Sequence, residues 1–344
     1  MSVLYDYAGN EIEIESTGVA DNSVTRNKLS PVLRSSFYVT PEMFGAVGDG
    51  IADDTNAVKT AINQGGIIIL NGTYRCTTGV PITRSNTIID GFGTLIGDFT
   101  SNGSVLSVSA TSSNLIDHVR IRNITIKSNS SGTHNGIYCG HQITSGNVIT
   151  DIIIEGVKVI DVTGNGIHLH GGPYNSTYLR PFFRVRNCRV INAGQIGICE
   201  SRITSVIENN YVKNSALENL TVDNGCEDVT VSGNVFIEHR GGVGGIGVDE
   251  AERIIISNNH IVCKPSTSYS SSYNAGIGCQ CNTGDVSNII VNGNTIVNGV
   301  YGVRLGGTYK AGGIFTNNIF KSVGTARFQI NNVNEYINEN NFDT

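Results

Sequence analysis

The sequence predicts an all-β fold: a right-handed parallel β-helix, a solenoid of stacked coils with a short N-terminal capping helix. Three observations lead there. Nine copies of one pattern run between Val119 and Phe342, each with alternating apolar residues, a polar residue, an Asn or Gly, and a second alternating pair. Examples are VRIRNITI (119–126), FRVRNCRV (183–190), VTVSGNVF (229–236), IIISNNHI (254–261) and GIFTNNIF (313–320). The Asn/Gly falls at Asn123, Gly156, Asn187, Asn209, Gly233, Asn258, Gly293, Asn317 and Asn340, at intervals of 33, 31, 22, 24, 25, 35, 24 and 23 residues. A basic period of 22–25 with three longer copies marks repeats that stack on one another. Finally, a third apolar stretch follows each pair: GIYC (136–139), GIHL (166–169), IGI (196–198), LTV (220–222), IGV (246–248), IGC (277–279), VRL (303–305) and FQI (328–330).

Within each copy the apolar period is two, so the elements are strands. The Asn/Gly between the first two leaves no room for a hairpin and implies a sharp bend, at residue types that tolerate left-handed backbone. The next column repeats Asn210, Asn234, Asn259, Asn294, Asn318 and Asn341. Stacked at the strand spacing of roughly 4.8 Å, those amides form an internal hydrogen-bonded ladder. Right-handedness follows from the crossover rule for parallel strands.

Three segments are expected: an N-terminal arm (1–38), a capping helix with the first coils (39–100), and the β-helix proper (101–344). The arm is polar, with brief alternation at Ile12–Ile14 and a short helix around Thr25–Leu29. It is too small for its own core, and is either a flexible leader or an arm for attachment or contact with another chain. In MFGAVGDGIADDTNAVKTAINQGGIIILNGTY (43–74), Asp53 or Asp54 N-caps a helix whose apolar stripe is Ala57, Val58, Ala61 and Ile62. Gly65-Gly66 ends it, strand 67–70 follows, and Asn71-Gly72 turns the chain. The helix covers the first coil, and capping accounts for the acids Asp49, Asp53 and Asp54 better than a metal or acid–base site does.

This string resembles the opening motif of the pectate-lyase-like superfamily (FGAxGDGxxDDTxAxxxAI…GGxxxLxxGTY), in the version common in bacteriophage tailspikes and capsule depolymerases. The motif covers roughly 43–74, and the coil pattern extends the likeness toward the C-terminus. The resemblance implies a homotrimeric virion protein that binds a bacterial surface polysaccharide, capsule or O-antigen, and often cleaves it. It also implies attachment to the phage tail or baseplate through residues 1–38. The large particle-binding head and distal trimerisation domain of many such spikes are not evident. The final copy, YINENNF, ends two residues before the C-terminus without a capping helix, so chains are expected to pack side by side near that tip.

Composition agrees with a glycine-turned solenoid: 42 Gly, 6 Pro and 15% charged residues among 344. The net charge of −6 points away from nucleic acid or an anionic membrane surface as partner. No apolar run is long enough for membrane insertion, and Met1–Asn10 lacks the basic start and apolar core of a secretory signal. Synthesis in a reducing host cytoplasm is expected, with the eight cysteines (Cys76, Cys139, Cys188, Cys199, Cys226, Cys263, Cys279, Cys281) as free thiols, several of them in inward columns.

The candidate chemistry lies on and just past the third strands. One outward column reads Tyr138, His168, Gly197, Thr221, Gly247, Gly278, Arg304 and Gln329. Past it, acids crowd three coils: Glu200, Asp223, then Asp249-Glu250. Longer coils at 141–151, 171–182 and 264–275 build two walls around a groove floored by those acids. The walls carry Tyr174, Tyr178, Tyr269 and Tyr273, whose rings suit the apolar faces of sugars. Glycoside hydrolysis needs a carboxylic acid for the leaving oxygen and a carboxylate for water or carbon. Asp223 and Asp249 are the expected pair, with Glu200 or Glu250 as substitute member. No cofactor is expected. Against this stand two other readings. A lyase acting on a uronate would want Ca²⁺ or a cation and a base: His168 and His170 are on one coil with Tyr138 one before, but Arg304 is five coils from His168, roughly 24 Å. His168 and His170 otherwise read as sugar-binding side chains. A non-catalytic receptor-binding spike shares every fold feature and needs no carboxylate pair.

Overall fold

The computed structural model describes residues 4–5, 11–12, 38–109, 115–129, 131–140, 149–171, 181–241, 244–264, 274–279, 285–306, 311–324, 326–330 and 333–343. The chain divides into two units, Met1–Tyr38 and Val39–Thr344. In the first, Leu4–Tyr5 pairs antiparallel with Glu11–Ile12; the helix expected around Thr25–Leu29 lies outside the described residues.

The second unit is a parallel β-helix. Among the described residues its strands form three parallel sheets, two of twelve strands and one of ten, and every coil but the first and last contributes one strand to each. All nine predicted bend residues lie in the left-handed region, from φ 51° at Asn340 to φ 68° at Gly293. A second left-handed column, Asp161, Asn192, Asn214, Glu238 and Asn298, ends the second strand of the coils. It was not read from the sequence, because its residue types vary.

The interior is built from columns in register. In one sheet Ile121, Ile154, Val185, Ile207, Val231, Ile256, Val291 and Phe315 stack in turn. All are fully buried. The asparagine ladder is present as expected. Nδ2 of Asn210, Asn234, Asn259, Asn294 and Asn318 each donates to Oδ1 of the next Asn at 2.9–3.0 Å. Each Oδ1 also takes the backbone N–H of the preceding rung, and the ladder starts from Cys188 N. The buried amides of the ladder thereby satisfy one another.

Helix α1 (Thr55–Ile62) covers the first coil, burying Ala57, Val58, Ala61 and Ile62. The acids around it act on backbone, with their roles divided differently from expectation. Asp54 occupies the N-cap position but makes no side-chain cap bond; its carboxylate accepts from Val47 and Gly48 N–H at 2.7 and 3.1 Å. Asp53 takes Thr55 N–H at 3.1 Å, together with the Thr55 and Thr77 hydroxyls, which hold its pKa down at about 2. Asp49 accepts from Ile51 and Ala52 N–H.

The seven described cysteines are free. Among the described residues no helix is long and apolar enough to cross a membrane, and no group of three His, Cys, Asp or Glu is placed to hold a metal ion.

Candidate active site

The ten-stranded sheet carries the candidate residues. Its strands include His134–Gly140, Ile167–His170, Ile198–Ser201, Leu220–Asp223, Gly244–Val248, Ala275–Cys279 and Tyr301–Leu305. The outward column runs Tyr138, His168, Cys199, Thr221, Gly247, Gly278 and Arg304. A second runs Gly140, His170, Ser201 and Asp223, with Asp249 next beyond Val248.

This register corrects the expectation for the third coil, where Cys199, not Gly197, lies between His168 and Thr221. Gly197 belongs to a column of small residues with Gly136 and Gly166. A Cβ there would meet Val212 Cγ1 at 2.3 Å and the Asn219 carbonyl oxygen at 2.5 Å. That contact admits only glycine and fixes the coil two residues away from the position its IGI pattern suggests.

Glu200 is consequently not on the acidic face. It lies in the inward column between Leu169 and Val222 and is 0% exposed. Ser205 Oγ donates to Oε2 at 3.0 Å, whereas Oε1 has no partner. Burial pushes its pKa up to about 8. It cannot meet a substrate, so it leaves the catalytic set.

Asp223 and Asp249 remain, half-buried on neighbouring coils whose backbones are roughly 4.8 Å apart, Asp223 ending its strand and Asp249 just past the end of the next. The two are tied through the backbone, Asp249 N–H donating to Val222 O at 3.0 Å. Burial raises Asp223 to about 6; a 2.6 Å hydrogen bond from Asn224 N–H opposes this, and the charges of Asp249, Glu250 and Glu218 add to it. Glu250, next to Asp249, has left-handed backbone at φ 45°. Glu218 is 8% exposed and was missed in the sequence, since it falls in the turn before the strand. Only its effect on Asp223 marks it.

On the other side of Asp223, two strands away, are the aromatic groups. His168 meets the Tyr138 ring edge-on at 5.2 Å and the His170 ring at 6.2 Å. Burial, then the proximity of His170, pushes His168 down to about 4, so the imidazole is neutral. Arg304 is five strands from His168 along the same column. Tyr174, Tyr178, Tyr269 and Tyr273 lie outside the described residues.

No protein-family model matches the chain. Among curated proteins it is similar to phage capsule depolymerases, including two from Klebsiella phages. Over 204 residues it is 28% identical to depolymerase 1 of Klebsiella phage KN3-1, which is specific for capsule KN3; the match covers 51% of this chain and 24% of that protein. Over 26 residues it is 77% identical to the capsule K30/K69-specific depolymerase of Klebsiella phage K64-1, covering 8% and 3%. The chain thus matches about a quarter or less of the length of these relatives. Among solved structures, tailspike protein 2 of the Escherichia coli O157:H7 bacteriophage CAB120 superimposes with TM-score 0.64 at 17% identity, over 87% of this chain and 42% of that one. The fold is the right-handed parallel β-helix.

Proposed function

We propose that this chain is the polysaccharide-binding and polysaccharide-cleaving β-helix of a phage tailspike, acting on a capsule or O-antigen of a bacterial host by glycoside hydrolysis. The observation that carries the chemistry is Asp223. It is a half-buried carboxyl raised to about 6, beside Asp249 on the adjacent coil. Two carboxyls in unlike environments are what acid–base cleavage of a glycoside needs. Asp223 is the general acid that protonates the leaving oxygen, and Asp249 is the second carboxyl. With Glu200 in the core, the remaining pair lies on adjacent coils roughly 4.8 Å apart at the backbone. Retaining enzymes hold their carboxyls ~5–5.5 Å apart and inverting ones ~6.5–9.5 Å, and the retaining course is the one proposed. Asp249 then attacks carbon directly, and Asp223, having given up its proton, activates the water that releases the product. Burial, and then the charges of Asp249, Glu250 and Glu218, favour the protonated form of Asp223, while His168, His170 and Tyr138 line the path of the polysaccharide.

The capsule-specific phage relatives support the substrate class. The test is incubation with capsular and O-antigen polysaccharides. Cleavage without an unsaturated uronate at the new end, lost in Asp223→Asn and Asp249→Asn while binding persists, supports hydrolysis. An unsaturated end shows the lyase reading instead, with Tyr138, His168 or His170 as base. Binding unaffected by either variant, with no cleavage, leaves a receptor-binding spike.

The assembly proposed is a homotrimer on the virion, made in the host cytoplasm and joined to the tail or baseplate through residues 1–38. One surface supports chain-to-chain packing: Ile255, Ile290 and Ile314 stack in register on three successive coils, outward and 40, 38 and 39% exposed. An outward apolar column of this kind fits an interface between copies.

A further inference from the structure

Strands Gly103–Ser109, His134–Gly140 and Ile167–His170 contribute to an open groove of about 610 Å³, within the range of small-ligand clefts. Its described lining is polar but uncharged: Asn102, Ser104, Asn135, Asn165 and Gln195, with Tyr138 and His168 beside them. Three of the amides are aimed by the backbone. Asn102 Oδ1 accepts from Thr133 N–H, Asn135 Oδ1 from Asn165 N–H, and Asn165 Oδ1 from Ile196 N–H, each at 3.0 Å. With the oxygens so engaged, the NH₂ ends are the groups left for a ligand. Asn135 spends one hydrogen on Ser104 Oγ at 3.4 Å, and Asn165 one on His168 Nδ1 at 3.3 Å. The groove therefore offers a file of neutral donors, matched to hydroxyl and ring oxygens.

An aromatic surface adjoins that file. The Tyr138 ring lies across Gly140, where a Cβ would sit 2.2 Å from both Cζ and the phenolic oxygen. Glycine lets the ring lie down over the sheet, and Tyr138 stays part-exposed in the groove lining, as stacking on the apolar face of a sugar requires. Charge narrows the ligand further. His168 is neutral above pH about 4. The carboxyls two and three strands beyond His168 are Asp223 and Asp249, and they repel an anion. Arg304 lies roughly 24 Å from His168, well beyond a Debye length of ~8 Å. Arg202, next after Ser201 of the column that holds His170 and Asp223, is nearer but already has a partner.

We propose that this groove is a subsite for uncharged sugar residues, which the amide file grips and Tyr138 stacks, so that the polysaccharide carries a neutral residue on the His168 side of the bond cleaved at Asp223. The proposal rests on the reading of the chain as a polysaccharide-binding protein. It is tested by calorimetric titration of the full chain and its Asp223→Asn variant with neutral hexaoses of gluco, galacto and manno configuration, and with hexagalacturonate and hexamannuronate. At least one neutral hexaose is expected to bind about tenfold or more tightly than either uronate. Tyr138→Ala, Gln195→Ala and Gly140→Ala should each weaken it severalfold with the circular dichroism unchanged. Uronate binding as tight as neutral binding overturns the subsite. So does the absence of neutral binding at millimolar concentration, or an affinity indifferent to Tyr138→Ala. Turnover surviving in Asp223→Asn defeats the cleavage mechanism alone and leaves the binding result to stand.

Discussion

Replacing Glu200 by Gln should make the protein more stable relative to wild type as pH rises. Glu200 is fully buried between Leu169 and Val222, with one oxygen bonded to Ser205 and the other unpartnered. Its pKa is about 8 in the fold against 4.5 ordinarily. Between those values the folded chain holds a proton that the unfolded chain has lost, so stability declines with pH by ~1.4 kcal/mol per unit. Stability from this group is fully present below pH 4.5 and is lost as pH rises through about 8. From pH 5 to pH 8 the decline amounts to roughly 4 kcal/mol. Gln imitates the protonated acid, keeps an acceptor for Ser205 Oγ, and does not titrate. Asp223, His168 and His239 also titrate, but they are common to both proteins and cancel in the difference. Urea unfolding of wild type and Glu200→Gln across that range, with equal m-values, reads the effect directly. Parallel pH curves would show that Glu200 is ionised or exposed in the folded protein, and the placement of the third coil would be wrong.

Other outcomes follow from the same geometry. With Asp223 as general acid at about 6, kcat/KM for depolymerisation should fall about tenfold per unit well above that pH; a rate that climbs through pH 8 would assign Asp223 another role. Asn259→Ala removes the side-chain bond to Asn294 Oδ1, one to Val231 O and two from Asn234. It leaves buried groups unpartnered, at a cost of about 3 kcal/mol or more by urea unfolding; a loss below about 1 kcal/mol would mean that water replaces the rung. In the proposed homotrimer, Ile290→Lys should shift light scattering toward monomer, and an unchanged mass would remove the isoleucine column from the interface.

The bends and the asparagine ladder were legible because each is decided within a few residues and repeated. Left-handed backbone selects Asn or Gly at every coil, and a column of Asn bonds to its own copies. The acidic face was only partly legible. Asp223 and Asp249 follow LTV and IGV, where a clear inward pair sets the parity. Glu200 follows IGIC, and parity alone offers two placements two residues apart.

What the sequence determined by itself was the repeat: its period, its bends, its internal ladder and the helix that covers its first coil. All of these are local preferences multiplied by copying. What the tertiary structure alone decided was the lateral position of one coil against the next. Gly197 had to meet Val212 and the Asn219 backbone across neighbouring coils. That contact between residues distant in sequence turned Glu200 into the core, left Asp223 and Asp249 as the facing pair, and set His170 and Ser201 in line with Asp223. Strand register is a property of neighbours, and no single coil contains it.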